Sequence, residues 1–146
     1  MIKIITATEK HIPIVAPLFD AYRVFYEQES DIAAANSFLS ERLKTKESII
    51  FLAVDEDQAV GFTQLFTTFS SVTLQRVLIL NDLFVKQSHR KTGIGEALLN
   101  YAKEYCTQMK YKGLALETAI NNPAQQLYER LGWHKDLQCF HYFWTA

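Results

Sequence analysis

Residues 80–95 read LNDLFVKQSHRKTGIG, an apolar segment followed by a polar loop that carries two glycines. The segment at 80–85 predicts a β-strand, because it is short, apolar and bounded by polar residues. After Gly93 the apolar residues recur at helical spacing, and they form one stripe: Ile94, Ala97, Leu98, Tyr101, Ala102, Tyr105, Cys106 and Met109. The sequence therefore predicts a strand that turns through a glycine loop into an amphipathic helix.

The residues before this unit predict a β-meander preceded by two helices. Apolar, β-rich segments lie at residues 48–54, 59–68 and 73–85, and short polar turns join them, which favours antiparallel pairing. Residues 2–6 predict a short strand. Helical spacing follows at residues 12–26, with a kink or restart expected at Pro17, and again at 32–43.

The residues after the long helix predict the rest of an α/β (α+β) domain. A strand at 114–119 would close a strand–helix–strand crossover, which favours parallel pairing. A helix at 124–131 ends at Gly132, and residues 133–145 predict one or two closing strands. We expect one domain over residues 1–146, with a mixed, mostly antiparallel sheet of about six to seven strands and about four flanking helices.

Composition excludes several classes of protein. The chain has 15 Lys and Arg against 16 Asp and Glu, so it lacks the basic surface of a nucleic-acid binder. No apolar run is long enough to span a bilayer. The two cysteines and four histidines show no metal-ligand spacing. We therefore expect a cytoplasmic protein with no metal, no nucleic-acid partner and no membrane contact.

The glycine loop suits an anion. The first N–H groups of a helix have no intrahelical partner, and glycines let a phosphate approach them closely. Arg90 and Lys91 add positive charge. The spacing Arg-x-x-Gly-x-Gly differs from a P-loop and from the dinucleotide fingerprint, since position 98 is Leu. A pyrophosphate site is one interpretation, and an ordinary tight turn before a helix is the other.

Two motifs together resemble a known family. The order strand–RKTGIG–helix resembles the acyl-CoA-binding motif of the GNAT superfamily of N-acetyltransferases. Residues 121–133, NNPAQQLYERLGW, look like that family's second motif. The LNDLFV strand and the aromatic C-terminal segment are most similar to the small polyamine- and histone-type acetyltransferases. The resemblance implies acetyl-CoA as co-substrate and a pair of splayed parallel strands that holds it.

The resemblance also implies which residues bind acetyl-CoA. Backbone groups of Leu83, Phe84 and Val85 would pair with the pantetheine arm, as an added strand does. The pyrophosphate would lie on backbone amides of the loop and first helical turn, which are those of Arg90, Lys91, Thr92, Gly93, Ile94, Gly95 and Glu96. Asn121 and the helix beginning near Ala124 would flank the thiol end of the cofactor.

The implied chemistry is direct attack of an amine on the thioester. Tyr128 matches the family's general acid towards the sulfur, a role that a neutral phenol can fill. Related polyamine acetyltransferases commonly carry Glu where this chain has Asn81, and an amide cannot accept the proton. Strand alternation directs Asp82 to the opposite face. Glu117, Glu27, Glu29 or a chain of water molecules remain as alternatives for the base.

The acceptor site is indicated only by position. Tyr22, Tyr26 and Glu27 lie where the family's first helix lines that site, with Asn81 and Glu117 on the strands. Aromatic rings beside carboxylates suit a cationic amine, either polyamine-like or a lysine or N-terminal amine.

Two other functions remain open from the sequence. A non-catalytic acyl-CoA-binding module would use the same loop, and a different nucleotide-phosphate-binding domain would need ATP or NAD to compete with CoA. The aromatic segment at 139–144 would form a last strand or pair across a homodimer.

Overall fold

The computed structural model describes all 146 residues, and they fall into two compact units, Met1–Leu116 and Glu117–Ala146. The first unit contains the whole sheet and three α-helices. The second contains one α-helix. The prediction of one domain over the full chain stays a prediction.

A single five-stranded sheet runs through the first unit, in the order β1-β2-β3-β4-β5. Its strands are β1 (Ile2–Thr6), β2 (Ser48–Asp55), β3 (Gln58–Ser70), β4 (Gln75–Val85) and β5 (Leu114–Ala115). The first four pair antiparallel, and β4 pairs with β5 in parallel. The predicted mixed, mostly antiparallel sheet is thus confirmed.

Four α-helices flank or follow the sheet, as predicted. They are α1 (Ile12–Phe25), α2 (Ile32–Lys44), α3 (Ile94–Gln108) and, in the second unit, α4 (Ala124–Arg130). Of the kink or restart expected at Pro17, the restart is wrong, because α1 continues through this residue. Proline removes one helical hydrogen bond, but the same helix buries Val15 and Leu18 on its apolar face.

Helices cover both faces of the sheet because strand side chains alternate. Ile50 and Leu52 of β2 are fully buried in the cluster formed with α1 and α2. Phe51, between them, points to the other face and packs on Tyr101 and Tyr105 of α3, with ring centroids 4.8 and 5.4 Å apart. This alternation is the physical origin of the three-layer arrangement.

The strand β4 has two irregularities that matter for the site. Gln64 of β3 faces Asp82 while Leu65 faces Leu80, so Asn81 is an extra residue in a β-bulge. The parallel ladder to β5 includes only Leu78 with Leu114 and Ile79 with Ala115. Beyond Ile79, β4 therefore has no strand beside it on the β5 side.

The expected closing strands are wrong. No residue after Ala115 is in a strand, so the sheet has five strands rather than six to seven, and β5 is shorter than the predicted 114–119. Aromatic residues favour strands only where a neighbouring strand supplies hydrogen bonds. Phe140, Tyr142, Phe143 and Trp144 are instead exposed. None of the helices combines the length and the apolar character that crossing a bilayer requires.

Candidate functional site

The glycine loop leads into the N-terminus of α3. Gly93 is the N-cap residue with φ 87°, and Lys91 also has a positive φ of 61°. A Cβ at Gly93 would meet no atom within 4 Å, so the loop is open beside it. Helical N–H groups without intrahelical partners are here combined with exposed backbone and positive charge, which is an arrangement that binds anions.

Arg90 has partners of its own at this loop. Its Nε donates to the carbonyl of Val85 at 2.9 Å, and its guanidinium lies over the rings of Phe84 and Phe25, 5.4 and 5.7 Å from their centroids. The side chain thus ties the loop to the end of β4 and to α1. A ligand donor that pairs with the Val85 carbonyl shares this acceptor with Arg90 or displaces it.

The second half of β4 combines an open side with the glycine loop that follows it. Leu83, Phe84 and Val85 pair with Thr63, Phe62 and Gly61 of β3, and no strand lies on their other side. The chain then reaches the glycine loop within a few residues. An extended ligand arm can therefore add to β4 while its anionic end lies on the amides of α3.

A cavity of about 410 Å³ lies between α1, α2 and the sheet. Aromatic and small apolar side chains supply most of its wall, and the polar residues are Arg23, Gln64, Asn81 and Asp82. Asn81 and Asp82 both line this cavity. The expectation that Asp82 points to the opposite face is wrong, because the bulge interrupts the alternation at this position.

Asp82 is a buried carboxyl surrounded by donors. It is 2 % exposed, and it accepts hydrogen bonds from Gln64 Nε2 at 2.6 Å and Asn81 Nδ2 at 2.8 Å. The Tyr22 hydroxyl is a third hydrogen-bond partner. Burial nevertheless raises the pKa of Asp82 above its ordinary value, since these three hydrogen bonds only partly offset the loss of hydration.

Gln64 has one buried atom without a partner. The carboxylate of Asp82 only accepts hydrogen bonds, so the Gln64 amide turns its NH₂ towards it and its oxygen away. That oxygen, Oε1, is buried and accepts no hydrogen bond. Leaving a buried acceptor unsatisfied costs about 1–3 kcal/mol, and a donor from a ligand or a water molecule in the cavity would offset that cost.

The other residues predicted for the acceptor site divide into two groups. Tyr22 lines the cavity. Tyr26 is 52 % exposed and Glu27, with φ 64°, is also exposed, and neither lines the cavity. The acidic residues after α1 thus lie outside the wall, while the buried carboxyl comes from β4.

The second unit contains the remaining predicted residues. Tyr128 on α4 is 9 % exposed and packs edge-on against Trp133, with centroids 6.1 Å apart. Asn121 and Ala124 flank the start of α4, where the Ala124 amide donates to Asn122 Oδ1 at 2.9 Å. Glu117 is exposed and pairs with His141 at 3.0 Å. The second motif thus forms a short capped helix whose buried face contains Tyr128.

Comparison with known proteins decides the family. The model of the acetyltransferase (GNAT) family matches residues 15–133, which is most of the chain. The chain belongs to the GNAT family of acetyltransferases. It is therefore an acyltransferase of the N-acetyltransferase type, and the predicted enzyme class is confirmed.

Individual relatives agree with this assignment. This acetyltransferase is 46% identical over 129 residues to an uncharacterised N-acetyltransferase, YhfO, of Bacillus subtilis, covering 88% of the chain and 87% of that protein. A crystal structure of a probable acetyltransferase has a TM-score of 0.94 at 36% identity, with 99% of this chain and 97% of that one covered. The aminoglycoside N-acetyltransferase AAC(6')-Iy in complex with CoA shares the fold, with a TM-score of 0.81, 19% identity and coverage of 100% and 96%.

Sequence reasoning missed part of the acetyltransferase's cavity. Gln64, Arg23, Phe38 and Phe66 all line it, and none was a predicted site residue. Gln64 has a signal in the sequence, since it is the one amide within the apolar run GFTQLF of a central strand. The chain has no group of three or more His, Cys, Asp or Glu that could hold a metal ion.

Proposed function

We propose that this protein transfers an acetyl group from acetyl-CoA to a primary amine by direct attack. The observation that carries the proposal is the continuity of three features along β4 and α3. The bulge at Asn81 lies at a cavity, the strand beyond it has no neighbouring strand on one side, and a helix N-terminus suited to an anion follows. Membership of the GNAT family supports the same reaction.

The residues present fit acetyl-CoA. Leu83, Phe84 and Val85 offer an open strand edge to the pantetheine arm, and the amides of residues 90–96 offer donors to the pyrophosphate. Lys91 is exposed beside them. When bound, the cofactor supplies an activated thioester. Asn121 and Ala124 are proposed at its thiol end on the strength of the family resemblance.

Tyr128 is the proposed proton donor. The reaction forms a bond between the amine nitrogen and the acetyl carbon and breaks the bond between that carbon and the sulfur. The departing thiolate needs a proton, and the phenol of Tyr128 can donate one. Its burial supports the role, since a fixed phenol is a better-positioned donor than a mobile one.

A non-catalytic acyl-CoA-binding module is the second candidate. Asn81 favours it, because the amide cannot act as a base at the position where related enzymes have an acid. The buried carboxyl of Asp82 in the same cavity favours catalysis instead. The two functions differ in whether any amine is acetylated.

The experiment measures binding and turnover on the same preparation. Thermal unfolding with acetyl-CoA, CoA, ATP and NAD should show a rise for the first two alone, because only a ligand of the native state raises the midpoint. Release of free thiol should then depend on an added amine. CoA binding without turnover on an amine panel would favour the binding module, and the absence of any shift would contradict both.

Tyr128→Phe tests the chemical step. Removing one hydroxyl should lower kcat by about 10²-fold or more, as for other general acids, while the KM for acetyl-CoA changes little. Tyr142→Phe removes the same atom from an exposed ring in the same unit and is the control. An unchanged kcat for Tyr128→Phe would exclude the phenol as proton donor.

Two further expectations remain proposals. We propose that the protein works in the cytoplasm, which two free cysteines support. We also propose that it forms a homodimer through the exposed aromatic segment that contains Phe140, Phe143 and Trp144. The similarity to polyamine- and histone-type acetyltransferases is likewise a proposal, resting on the LNDLFV strand.

A further inference from the structure

The cavity lined by α1, α2, β3 and β4 contains a buried acceptor atom that nothing in the chain satisfies. Gln64 is 1 % exposed, lines the cavity, and has an unpartnered Oε1. The hydrogen bond from its Nε2 to Asp82 at 2.6 Å fixes the orientation of the amide. The atom that would complete this site is therefore a donor, such as an N–H of a ligand.

Asp82 lies directly beside this acceptor. Its Oδ1 and Oδ2 are both held by protein donors, and Thr63 Oγ1 donates to its backbone carbonyl at 2.7 Å. Strand position and side-chain rotamer are thus both fixed. A positively charged amino group placed between Gln64 Oε1 and this carboxyl would meet an acceptor and a negative charge together.

The other residues that line the cavity disfavour a ligand with a second positive charge. Arg23 is the one Lys or Arg of the lining, and Asp82 is its one Asp or Glu. The Phe19, Phe38 and Phe66 rings with Ala34 and Ala35 supply most of the remaining surface. A polycation would leave its second charge beside apolar rings and an arginine, which is unfavourable.

We propose that Gln64 Oε1 and Asp82 anchor the amino group of the acceptor, and that the acceptor is an amine on an apolar stem without a second positive charge. This inference rests on the proposed function and narrows it, because it excludes polyamines from the proposed acceptors. In the step that follows, the acceptor's ammonium gives one proton to the Asp82 carboxylate. The neutral nitrogen attacks the acetyl carbon, the carbon–sulfur bond breaks, and the thiolate takes a proton from Tyr128. The amide nitrogen releases its extra proton to restore the phenol, and Asp82 passes the proton from the ammonium to solvent, which restores the carboxylate.

Matched amines test the acceptor class. Hexylamine and hexane-1,6-diamine share one stem and differ in a terminal amino group. We expect kcat/KM for hexylamine to exceed that for the diamine by about tenfold or more, because the second ammonium has no counter-charge in the cavity. Arg23→Gln should bring the two kcat/KM values closer together, because it removes the positive charge of the cavity wall. Equal values for the two amines in the parent enzyme would overturn the acceptor class.

Gln64→Met tests the anchor, because methionine keeps the size of the side chain and removes its polar atoms. The KM for hexylamine should rise about tenfold or more while the KM for acetyl-CoA stays within twofold. Gln58→Met makes the same change at an exposed position of β3 and should have no effect. A KM for hexylamine within twofold of the parent value would overturn the anchor.

The outcomes separate this inference from the proposed function. Acetyl-CoA binding is measured by thermal shift in every variant, and it also reports whether the variant folds. If Gln64→Met does not fold, the anchor is tested with the conservative Asp82→Asn variant and the matched amines. Asp82→Asn is expected to lose kcat. If kcat and KM are unchanged by substitution of Gln64 or Asp82, and kcat/KM is the same for the two amines, this inference alone is contradicted. Failure to bind acetyl-CoA or to acetylate any amine contradicts the proposed function.

Discussion

Asp20 is a buried side chain that connects α1 to the start of α2, the two helices that line the cavity. It is 5 % exposed on α1 and accepts hydrogen bonds from Ser30 Oγ at 2.6 Å and the Asp31 amide at 2.7 Å. The bond from Ser30 is the largest cause of its lowered pKa. Asp31 in turn caps α2 by accepting from the Ala34 amide at 2.9 Å. A chain of two carboxylates thus fixes the start of α2 relative to α1.

Asp20→Asn should lower the free energy of unfolding by about 1–3 kcal/mol, because one of two charge-assisted hydrogen bonds meets an NH₂ group instead of an oxygen. Urea denaturation followed by circular dichroism measures the change. Asp57→Asn makes the same substitution at an exposed turn and should stay within about 0.5 kcal/mol of the parent. Equal stability of the two variants would show that Asp20 does not hold α2.

At the scale of single residues, the sequence predicts the glycine loop but not the orientation of Asp82. Gly93 and the charges beside it follow from residue types alone. The orientation of Asp82 does not, because one extra residue in a bulge reverses every alternation argument that follows it. Nothing in LNDLFV marks Asn81 as that residue. The orphan oxygen of Gln64 is likewise visible only when its neighbours are known.

Between elements, the close contact of α3 with β3 decides where the N-terminus of α3 lies. A Cβ added to Gly61 would lie 3.1 Å from Ile94 Cγ2, 3.2 Å from the Phe84 carbonyl and 3.4 Å from Leu98 Cδ1. Two of these atoms belong to the first turns of α3, and the third is backbone of β4. Glycine at this position lets helix and sheet approach each other.

Gly61→Ala should therefore push the start of α3 away from the sheet. We expect a loss of about 1–3 kcal/mol in the free energy of unfolding, as for other overpacked sites, together with weaker acetyl-CoA binding. Isothermal titration calorimetry and urea denaturation measure the two effects. Gly113→Ala is the matched control, since a Cβ there meets nothing within 4 Å and should change neither quantity. If Gly61→Ala is destabilised but binds acetyl-CoA normally, the packing of α3 on the sheet does not affect acetyl-CoA binding.

Element boundaries were predictable where a periodic pattern and a cap agree. The predicted α2 at 32–43 and the observed Ile32–Lys44 differ by one residue, and the strand at residues 2–6 was placed as observed. The restart at Pro17 and the strands in the aromatic tail were wrong for one shared reason. Local preference predicts a break at proline and a strand in an aromatic run, whereas burial in α1 and the lack of a pairing neighbour decide the outcome.

On the scale of the whole molecule, two buried carboxyls with opposite pKa shifts should shape stability against pH. The pKa of Asp82 is raised above 3.8, chiefly by burial, so its native form binds a proton that the unfolded chain does not. Its contribution to stability therefore rises as pH falls from neutral towards 3.8. The pKa of Asp20 is lowered below 3.8, so its contribution is lost as pH falls through and below that value.

The difference in unfolding free energy between parent and variant isolates each carboxyl, because the other titrating groups cancel. For Asp82→Asn, we expect the parent to gain stability relative to the variant on acidification from pH 7 towards 4, while Asp20→Asn leaves that range unchanged. Below about pH 4 the Asp20→Asn difference should change instead, because the parent loses the stability that the ionised Asp20 carboxyl contributes. Urea denaturation at a series of pH values measures both curves. A flat Asp82→Asn difference would contradict the desolvation of the Asp82 carboxyl.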